Sequence, residues 1–189
     1  MKRLAWVILL SFVCLVGATG FGFKKDSPSE RRAEIDKATS EVLADLYREV
    51  PGSKSYIDRA AGYAVFSSLG INVFVVSTAS GKGKAHYRSS GKDVYMKMYS
   101  AGGGVGMGVK DFRLVFAFEN EAALNTFVEE GWTAGAQADA AATHDDEGDA
   151  AALAIDVSPG VKLFQLTESG LALQATIQGT KYWKDDELN

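Results

Sequence analysis

A succession of short β-rich runs between residues 63 and 118 restricts the possible fold more than any other feature of this sequence. Glycine or serine turns separate most of these runs, and no regular alternation with helices interrupts them. The runs cover residues 63–66, 71–76, 81–88, 94–101, 105–109 and 113–118. Because strands that are joined by short turns pair antiparallel, the sequence predicts an α+β fold with an antiparallel sheet, either sandwich or barrel-like.

Two further β-rich runs lie near the end of the chain, at residues 161–167 and 171–177. Glu168-Ser169-Gly170 joins them and is typical of a hairpin. The alanine-rich segment 132–142 is compatible with a helix or with one face of a strand, and the alternation of its alanines favours a strand.

Helical patterns occur at the N-terminal side of the sheet and around residues 120–130. Ser27-Pro28-Ser29-Glu30 combines a capping hydroxyl, a proline at the first helical position and a glutamate three residues after the cap, which is typical of a helix start. The apolar stripe that follows consists of Ile35, Ala38, Val42, Leu46 and Val50. Pro51-Gly52 ends this helix, and residues 53–61 are predicted to form a second one.

The third helix is short. Asn120 is a suitable cap for it, and Gly131 marks its end. Its apolar residues Leu124, Phe127 and Val128 are expected to face inward. The sequence thus predicts an N-terminal helix pair and one short helix beside the sheet.

The first twenty residues have the pattern of an export signal. Lys2 and Arg3 precede an apolar run over residues 4–16, and small residues follow it. The run is shorter than the roughly 20 apolar residues that span a bilayer, so cleavage near Ala18 or Gly20 is favoured over retention. Val13 is not the small residue expected before a lipidated cysteine, so lipidation of Cys14 is the less favoured alternative.

These features predict a signal peptide over residues 1–20, a basic-aromatic lead-in over 21–28 and a single domain over 29–189. The predicted location is the periplasm or cell envelope, peripheral to the membrane. The rest of the chain has no cysteine, which excludes a disulfide, a thiol nucleophile and a cysteine-ligated metal there.

Several function classes are poorly supported. The net charge of −4 provides no basic excess for a nucleic acid backbone, so no nucleic acid partner is expected. The chain has two histidines and no Gly-x-Ser-x-Gly motif, and neither Gly-Lys pair lies in a phosphate-binding loop. We therefore predict no catalytic residues and no cofactor. The acidic segment 143–149 could offer oxygen ligands to calcium, but a solvated loop is favoured and no metal site is predicted.

Gly102, Gly104, Gly106 and Gly108 alternate along the chain, which in one extended strand would leave a bare face. Another strand or helix packed against that face is the favoured interpretation, and a ligand or lipid chain is the alternative. Together with the alanines of 132–142, these glycines also allow a structural or protein-interaction module that self-associates through Gly/Ala-rich strand faces.

The segment 81–98 concentrates cations in an otherwise acidic protein. Its basic residues are Lys82, Lys84, Arg88, Lys92 and Lys97, against the single acid Asp93. In a strand, Lys82, Lys84, His86 and Arg88 would share one face, which could dock on phosphate headgroups. The alternative is that the lysines protect an edge strand from aggregation.

Two other segments could assist such docking. Lys24 and Lys25 lie beside Phe21 and Phe23, which could insert weakly into a membrane surface. Trp183 lies between Lys181-Tyr182 and Lys184, a combination found at headgroup depth and also at strand ends that cover a core.

A family resemblance follows from glycine and apolar spacing. It rests on Gly62-Tyr63-Ala64-Val65-Phe66, Gly81-Lys82-Gly83, Gly104-Val105-Gly106-Met107-Gly108 and Asp111-Phe112-Arg113-Leu114-Val115-Phe116. It continues through 120–127, Gly170-Leu171-Ala172-Leu173 and Gly179-Thr180. Over nearly all of the chain from about Ser29, the sequence resembles the SYLF lipid-binding domain family, in particular its small exported bacterial members.

The resemblance implies a non-enzymatic domain that associates with phospholipids and has no catalytic residues. In eukaryotic relatives an amphipathic N-terminal helix and nearby basic residues are associated with lipid contact. The matching positions Lys24, Lys25, Arg31 and Arg32 are interspersed with acids here, which departs from that pattern. The leading hypothesis is an exported domain that binds anionic phospholipid or another envelope polyanion through Lys82, Lys84, Arg88 and Lys92.

Overall fold

A computed structural model describes residues 26–73, 76–103, 108–133, 154–167, 170–172 and 179–189. The predicted signal peptide, Lys24 and Lys25, the segment 134–142 and the acidic segment 143–149 lie outside the described residues. The predictions made for these segments therefore stay predictions.

Three helical elements are present in the described part of the chain. Helix α1 is Pro28–Glu49, helix α2 is Ser53–Arg59, and helix α3 is Glu121–Asn125, which continues into a π-helical turn over Thr126–Glu130. The predicted capping box of α1 is confirmed, because the Ser27 hydroxyl accepts from the Glu30 amide and the Glu30 carboxylate accepts from the Ser27 amide. The Asn120 cap is confirmed by a hydrogen bond from the Ala123 amide to its side chain.

The sheet contains nine strands in the described residues. These are β1 Gly62–Val73, β2 Val76–Tyr87, β3 Asp93–Gly103, β4 Gly108–Phe118, β5 Trp132–Thr133, β6 Ile155–Ser158, β7 Val161–Thr167, β8 Gly170–Ala172 and β9 Thr180–Lys184. The order is β5-β9-β3-β2-β1-β4-β7-β6, all neighbours are antiparallel, and β8 also pairs with β7. The sheet curls into a half-barrel, which confirms the predicted α+β class.

The prediction of six short strands between residues 63 and 118 is wrong, since four long strands occupy this region. Ser67 and Ser68 do not interrupt β1, because both neighbouring strands hydrogen-bond to its backbone there. Gly102 ends up in β3 and Gly108 in β4, so the alternating glycines do not belong to one strand. The second helix ends at Arg59, two residues earlier than predicted, and Gly62 begins β1.

Each face of the sheet carries a buried apolar cluster, because the two-residue period of the strands divides the core in two. Ala64 and Phe66 of β1 face an aromatic cluster that the short third helix covers. Val65 faces the opposite way, toward α1 and α2, where Val42 and Leu46 are buried. We call this second side of the sheet the outer face.

Gly83 explains how the aromatic cluster fits against β2. A Cβ atom at this position would lie 2.6 Å from Cδ1 of Phe66 and closer still to the Val65 carbonyl oxygen. The Phe66 ring thus packs directly on the backbone of β2, and it also makes edge contacts with Phe116 and Tyr182 at centroid distances of 6.1 and 4.9 Å. The backbone of β2 at Gly83 is therefore covered by the aromatic cluster of the protein itself.

Gly83→Ala is therefore expected to destabilise the fold by about 1–3 kcal/mol, because the added methyl group overpacks the core against fixed backbone. Urea-induced unfolding followed by circular dichroism measures the effect. Gly91→Asn is a suitable control, since Gly91 has open space around it and a φ of +68° that asparagine adopts readily. Equal unfolding midpoints for the two variants would contradict the assignment.

Candidate functional site

Lys82 and Lys84 of the predicted cationic segment lie on the outer face, next to the N-terminal half of α1. The Lys84 ammonium donates to Asp36 of α1 and to Asp93 of β3, each at 2.8 Å. Only 12% of the Lys84 side chain is exposed. The Tyr95 hydroxyl contacts both Asp36 carboxylate oxygens at 3.2 Å. Lys84 therefore acts as a clamp between the helix and the sheet.

His86 belongs to the same network. Its Nδ1 lies 2.7 Å from the second oxygen of Asp93, and its ring stacks on Tyr63 at a centroid distance of 5.0 Å. Burial on its own raises the pKa of Asp93, but the hydrogen bonds from Lys84 and His86 outweigh burial and lower that pKa below its ordinary value. Burial on its own lowers the pKa of Lys84, and the hydrogen bonds to Asp36 and Asp93 reverse this and raise it. Both groups are charged at neutral pH.

A second clamp joins α1 to the residues that follow β9. The Asp185 side chain is 1% exposed and lies 2.9 Å from Nη2 of Arg31 and 2.8 Å from Nζ of Lys97. Arg31 also pairs with Glu187 at 2.5 Å, and the Arg32 guanidinium donates to the carbonyl of Leu188 at 2.8 Å. Removing one member of such a buried cluster leaves uncompensated charge.

These contacts correct the expectation of one continuous, free cationic ribbon. Carboxylates of the protein itself bind Lys84 and Lys97. Arg88 does not share the β2 face, because the strand ends at Tyr87 and the Arg88 guanidinium donates to the carbonyls of Ile57 and Ala60 at the end of α2. Lys92 is exposed in the β2–β3 turn.

Lys82 is held more loosely than Lys84. Its ammonium lies 3.7 Å from Glu34, and the two side chains are 49% and 66% exposed. An exposed pair at this distance contributes little to stability. Lys82 can therefore exchange Glu34 for another anion at little cost.

The strand register brings Lys82 and Lys97 next to the predicted Trp183. Lys82 is opposite Lys97, and Lys97 is opposite Trp183, so these residues form one row across β2, β3 and β9. In the next row Ser80 is opposite Tyr99, and Tyr99 is opposite Lys181. Paired side chains in antiparallel strands point to the same face. We call the group formed by Lys82, Lys97, Tyr99, Lys181 and Trp183 the lysine–aromatic face.

The exposure of this face is unusual for the molecule. Tyr99 is 46% exposed, and it is the one large hydrophobic side chain classed as exposed among those that the structure describes. Lys181 is also exposed, and Trp183 is partly exposed. Sequence analysis named Lys181 only as a neighbour of Trp183 and did not select Tyr99. Each belongs to a two-residue alternation, Tyr99 on β3 and Lys181 on β9, and the two residues become neighbours only when the strand register is known.

The described residues offer little else for chemistry. They contain no group of three or more histidines, cysteines or carboxylates that could hold a metal ion. No helix within them is both long enough and apolar enough to cross a bilayer. Asp93 and His86 are close to each other, but Lys84 and Tyr63 occupy their surroundings.

Comparison with known proteins gives one informative relative. No family model matches the chain, so the SYLF resemblance stays a prediction. Beta cell expansion factor A of Aeromonas veronii is 36% identical over 159 residues, which is 84% of this chain and 59% of that protein. The chain thus spans about three-fifths of the length of this curated relative, to which it is similar over most of its own length.

Asp185→Asn should lower the free energy of unfolding by about 3 kcal/mol, since the amide leaves Arg31 and Lys97 without their shared buried counter-ion. Urea unfolding of the purified chain measures the loss. Asp186→Asn, at the exposed neighbouring position, is the matched control and should leave the midpoint nearly unchanged. If Asp186→Asn were as unstable as Asp185→Asn, this would contradict the role of Asp185 as the buried counter-ion of Arg31 and Lys97.

The Asp93 network should also make stability depend on pH. Because the folded-state pKa of Asp93 is lowered, its contribution is complete above the ordinary carboxyl value of about 4 and is lost as the pH falls through the lower folded-state value. Asp93→Asn should therefore be less stable than the parent at pH 7, with a difference that shrinks in acid below about pH 4. Urea unfolding across this range tests the prediction, and a difference that does not change with pH would contradict it.

Proposed function

We propose that this protein is a non-enzymatic, exported domain that associates peripherally with anionic phospholipid through the lysine–aromatic face. The observation that supports the proposal is the register of β2, β3 and β9, which gathers three lysines, a tyrosine and a tryptophan on one exposed part of the sheet. Tyrosine and tryptophan favour the headgroup region of a bilayer, and lysines are attracted by its negative surface potential.

The arrangement of charge within this face favours an external anion. Lys82 and Lys97 lie directly opposite each other on neighbouring strands, and like charges in this position destabilise a sheet. Asp185 offsets the charge of Lys97, whereas Lys82 has only its loose contact with Glu34 and Lys181 has no ion pair within the described residues. A negatively charged surface would relieve the repulsion.

The expected affinity is modest. Each lysine near an anionic bilayer contributes about 1 kcal/mol, and the contribution falls with ionic strength. Lys97 contributes less than Lys181, because Asp185 already binds it. The aromatic side chains provide a second source of binding energy, which reversible membrane association generally requires. The domain would thus bind peripherally and come off at high salt.

Two features of the sequence support this proposal. The resemblance to the SYLF family implies association with phospholipid, and the predicted signal peptide implies export to the periplasm or cell envelope.

Lys181→Gln should weaken binding to phosphatidylcholine vesicles that contain phosphatidylglycerol by about fivefold, and Tyr99→Ala combined with Trp183→Ala by about tenfold. Co-sedimentation at low and at physiological salt measures both effects. Lys54→Gln removes the same charge from an exposed position on α2 and should bind like the parent.

Equal binding to zwitterionic and anionic vesicles would overturn the proposal, as would a Lys54→Gln variant as weak as Lys181→Gln. An oligomer that forms without lipid and is lost in Tyr99→Ala would instead assign this face to self-association. Sedimentation velocity of the same proteins distinguishes that outcome.

A further inference from the structure

A groove lies between α1 and the middle of β1 and β2, next to the lysine–aromatic face. Its cavity volume is about 270 Å³. Helix α1 forms one wall with Glu34, Ile35 and Ala38, and the sheet forms the other with Ser67, Ser68, Ser80, Gly81 and Lys82. Ser80 and Lys82 belong to the rows that carry the lysine–aromatic face, so the groove opens beside it.

The sheet wall of the groove supplies hydrogen-bond donors. The Lys82 ammonium is half exposed. Ser67 and Ser80 are exposed, and in the described part of the chain their hydroxyls make no hydrogen bond. Ser68 differs, since its hydroxyl donates to the Phe112 carbonyl at 3.1 Å. One ammonium and two unengaged hydroxyls on adjacent strands are suited to the oxygens of one anion.

The helix wall is largely apolar. Ile35 is 4% exposed and Ala38 is partly buried, so a carbon chain attached to the anion could lie against them. Pockets for drug-sized ligands range from roughly 300 to 1,000 Å³, and the groove lies just below that range. Its volume accommodates a headgroup-sized fragment.

We propose that this groove binds a phosphate monoester, with Lys82, Ser67 and Ser80 holding the phosphate oxygens and with Ile35 and Ala38 contacting the carbon atoms of the attached group. The inference rests on the proposed function and deepens it: the groove selects the headgroup of a lipid that the lysine–aromatic face meets at the surface. No histidine lines the groove, which agrees with binding and offers no imidazole base for hydrolysis.

Glu34 has a specific part in this site. Its carboxylate lies 3.7 Å from the Lys82 ammonium and so occupies the position next to Lys82 that an entering anion would take. An entering phosphate must displace this carboxylate or tolerate its negative charge. Loss of the Glu34 charge should therefore strengthen phosphate binding, whereas loss of the Lys82 charge should weaken it.

The experiment uses two probes on the full chain. Isothermal titration with free glycerol 3-phosphate tests the groove without a membrane, and co-sedimentation with phosphatidylcholine vesicles containing phosphatidic acid tests it at a surface. Lys82→Gln should weaken the binding of both probes about tenfold, the loss expected for a charge-assisted contact, and Glu34→Gln should strengthen both about threefold. Glu41→Gln and Lys54→Gln remove the same charges elsewhere and should bind both probes like the parent.

Ala38→Leu tests the groove without any change of charge. The larger side chain fills the cavity and should weaken glycerol 3-phosphate binding about tenfold, whereas Ala44→Leu, at an exposed position of the same helix, should leave it unchanged. Lys181→Gln should weaken vesicle binding and leave the binding of free glycerol 3-phosphate unchanged. Circular dichroism of each variant verifies that it is folded.

The outcomes separate the two proposals. Normal vesicle binding by Ala38→Leu, with no binding of glycerol 3-phosphate by the parent, would overturn the groove and leave the membrane function standing. The parent could instead bind glycerol 3-phosphate but not vesicles, with Ala38→Leu abolishing the binding of glycerol 3-phosphate. This outcome would support a site for free phosphate monoesters and overturn the membrane function. No binding of either probe would overturn both.

Discussion

Three carboxylates, Asp36, Asp93 and Asp185, hold helix α1 and the residues after β9 against a sheet face that carries lysines. Without them, Lys84 would lie largely buried and unpaired, and Lys97 and Arg31 would lose the carboxylate that they share, which would destabilise the packing of the helix. The N-terminal half of α1 is fixed by these ion pairs together with buried Ile35, whereas its C-terminal half is fixed by the apolar contacts of Val42 and Leu46 and by the ion pair of Asp45 with Arg113. One helix thus combines two kinds of attachment.

This pairing decides which cations can meet a ligand. Lys84 forms ion pairs with Asp36 and Asp93, and the Arg88 guanidinium donates to the carbonyls at the end of α2. Lys82 and Lys181 keep their charges accessible, and the strand register brings them beside Tyr99 and Trp183. A positively charged sequence segment therefore contributes only part of its charge to the candidate surface, and a distant strand contributes the rest.

The groove and the lysine–aromatic face share one physical cause. Glu34 and Ile35 lie within one turn of Asp36, which holds α1 on the sheet, so the ion pair that fixes the helix also fixes one wall of the groove. The lysine–aromatic face would provide weak, salt-dependent attraction, and the adjacent groove would recognise a headgroup. Affinity and selectivity would then come from two neighbouring parts of the protein. Such a division allows reversible binding to a membrane without loss of discrimination.

Local patterns in the sequence determined the α+β class, the capping box at Ser27 and Glu30, the Asn120 cap and the bounds of β7, because periodicity and capping act over a few residues. They did not determine the length of β1, where pairing with β2 and β4 overrides the turn preference of serine and glycine, or the length of β4, whose residues 108–111 pair with β1. They did not reveal β6, and around Trp183, where β9 lies, they offered a strand end only as one of two interpretations, because burial there depends on neighbours far along the chain.

The tertiary structure alone decided which cations are paired with carboxylates and which are exposed to solvent. Lys84 and Asp36 are 48 positions apart, and Arg31 and Asp185 are 154 positions apart, so no local pattern could pair them. The same holds for Tyr99 and Lys181, which become neighbours only through the pairing of β3 with β9. The sequence by itself established that positive charge is concentrated in one β-ribbon, and the fold decided how much of that charge reaches solvent, because Coulomb interactions depend on distances that only packing sets.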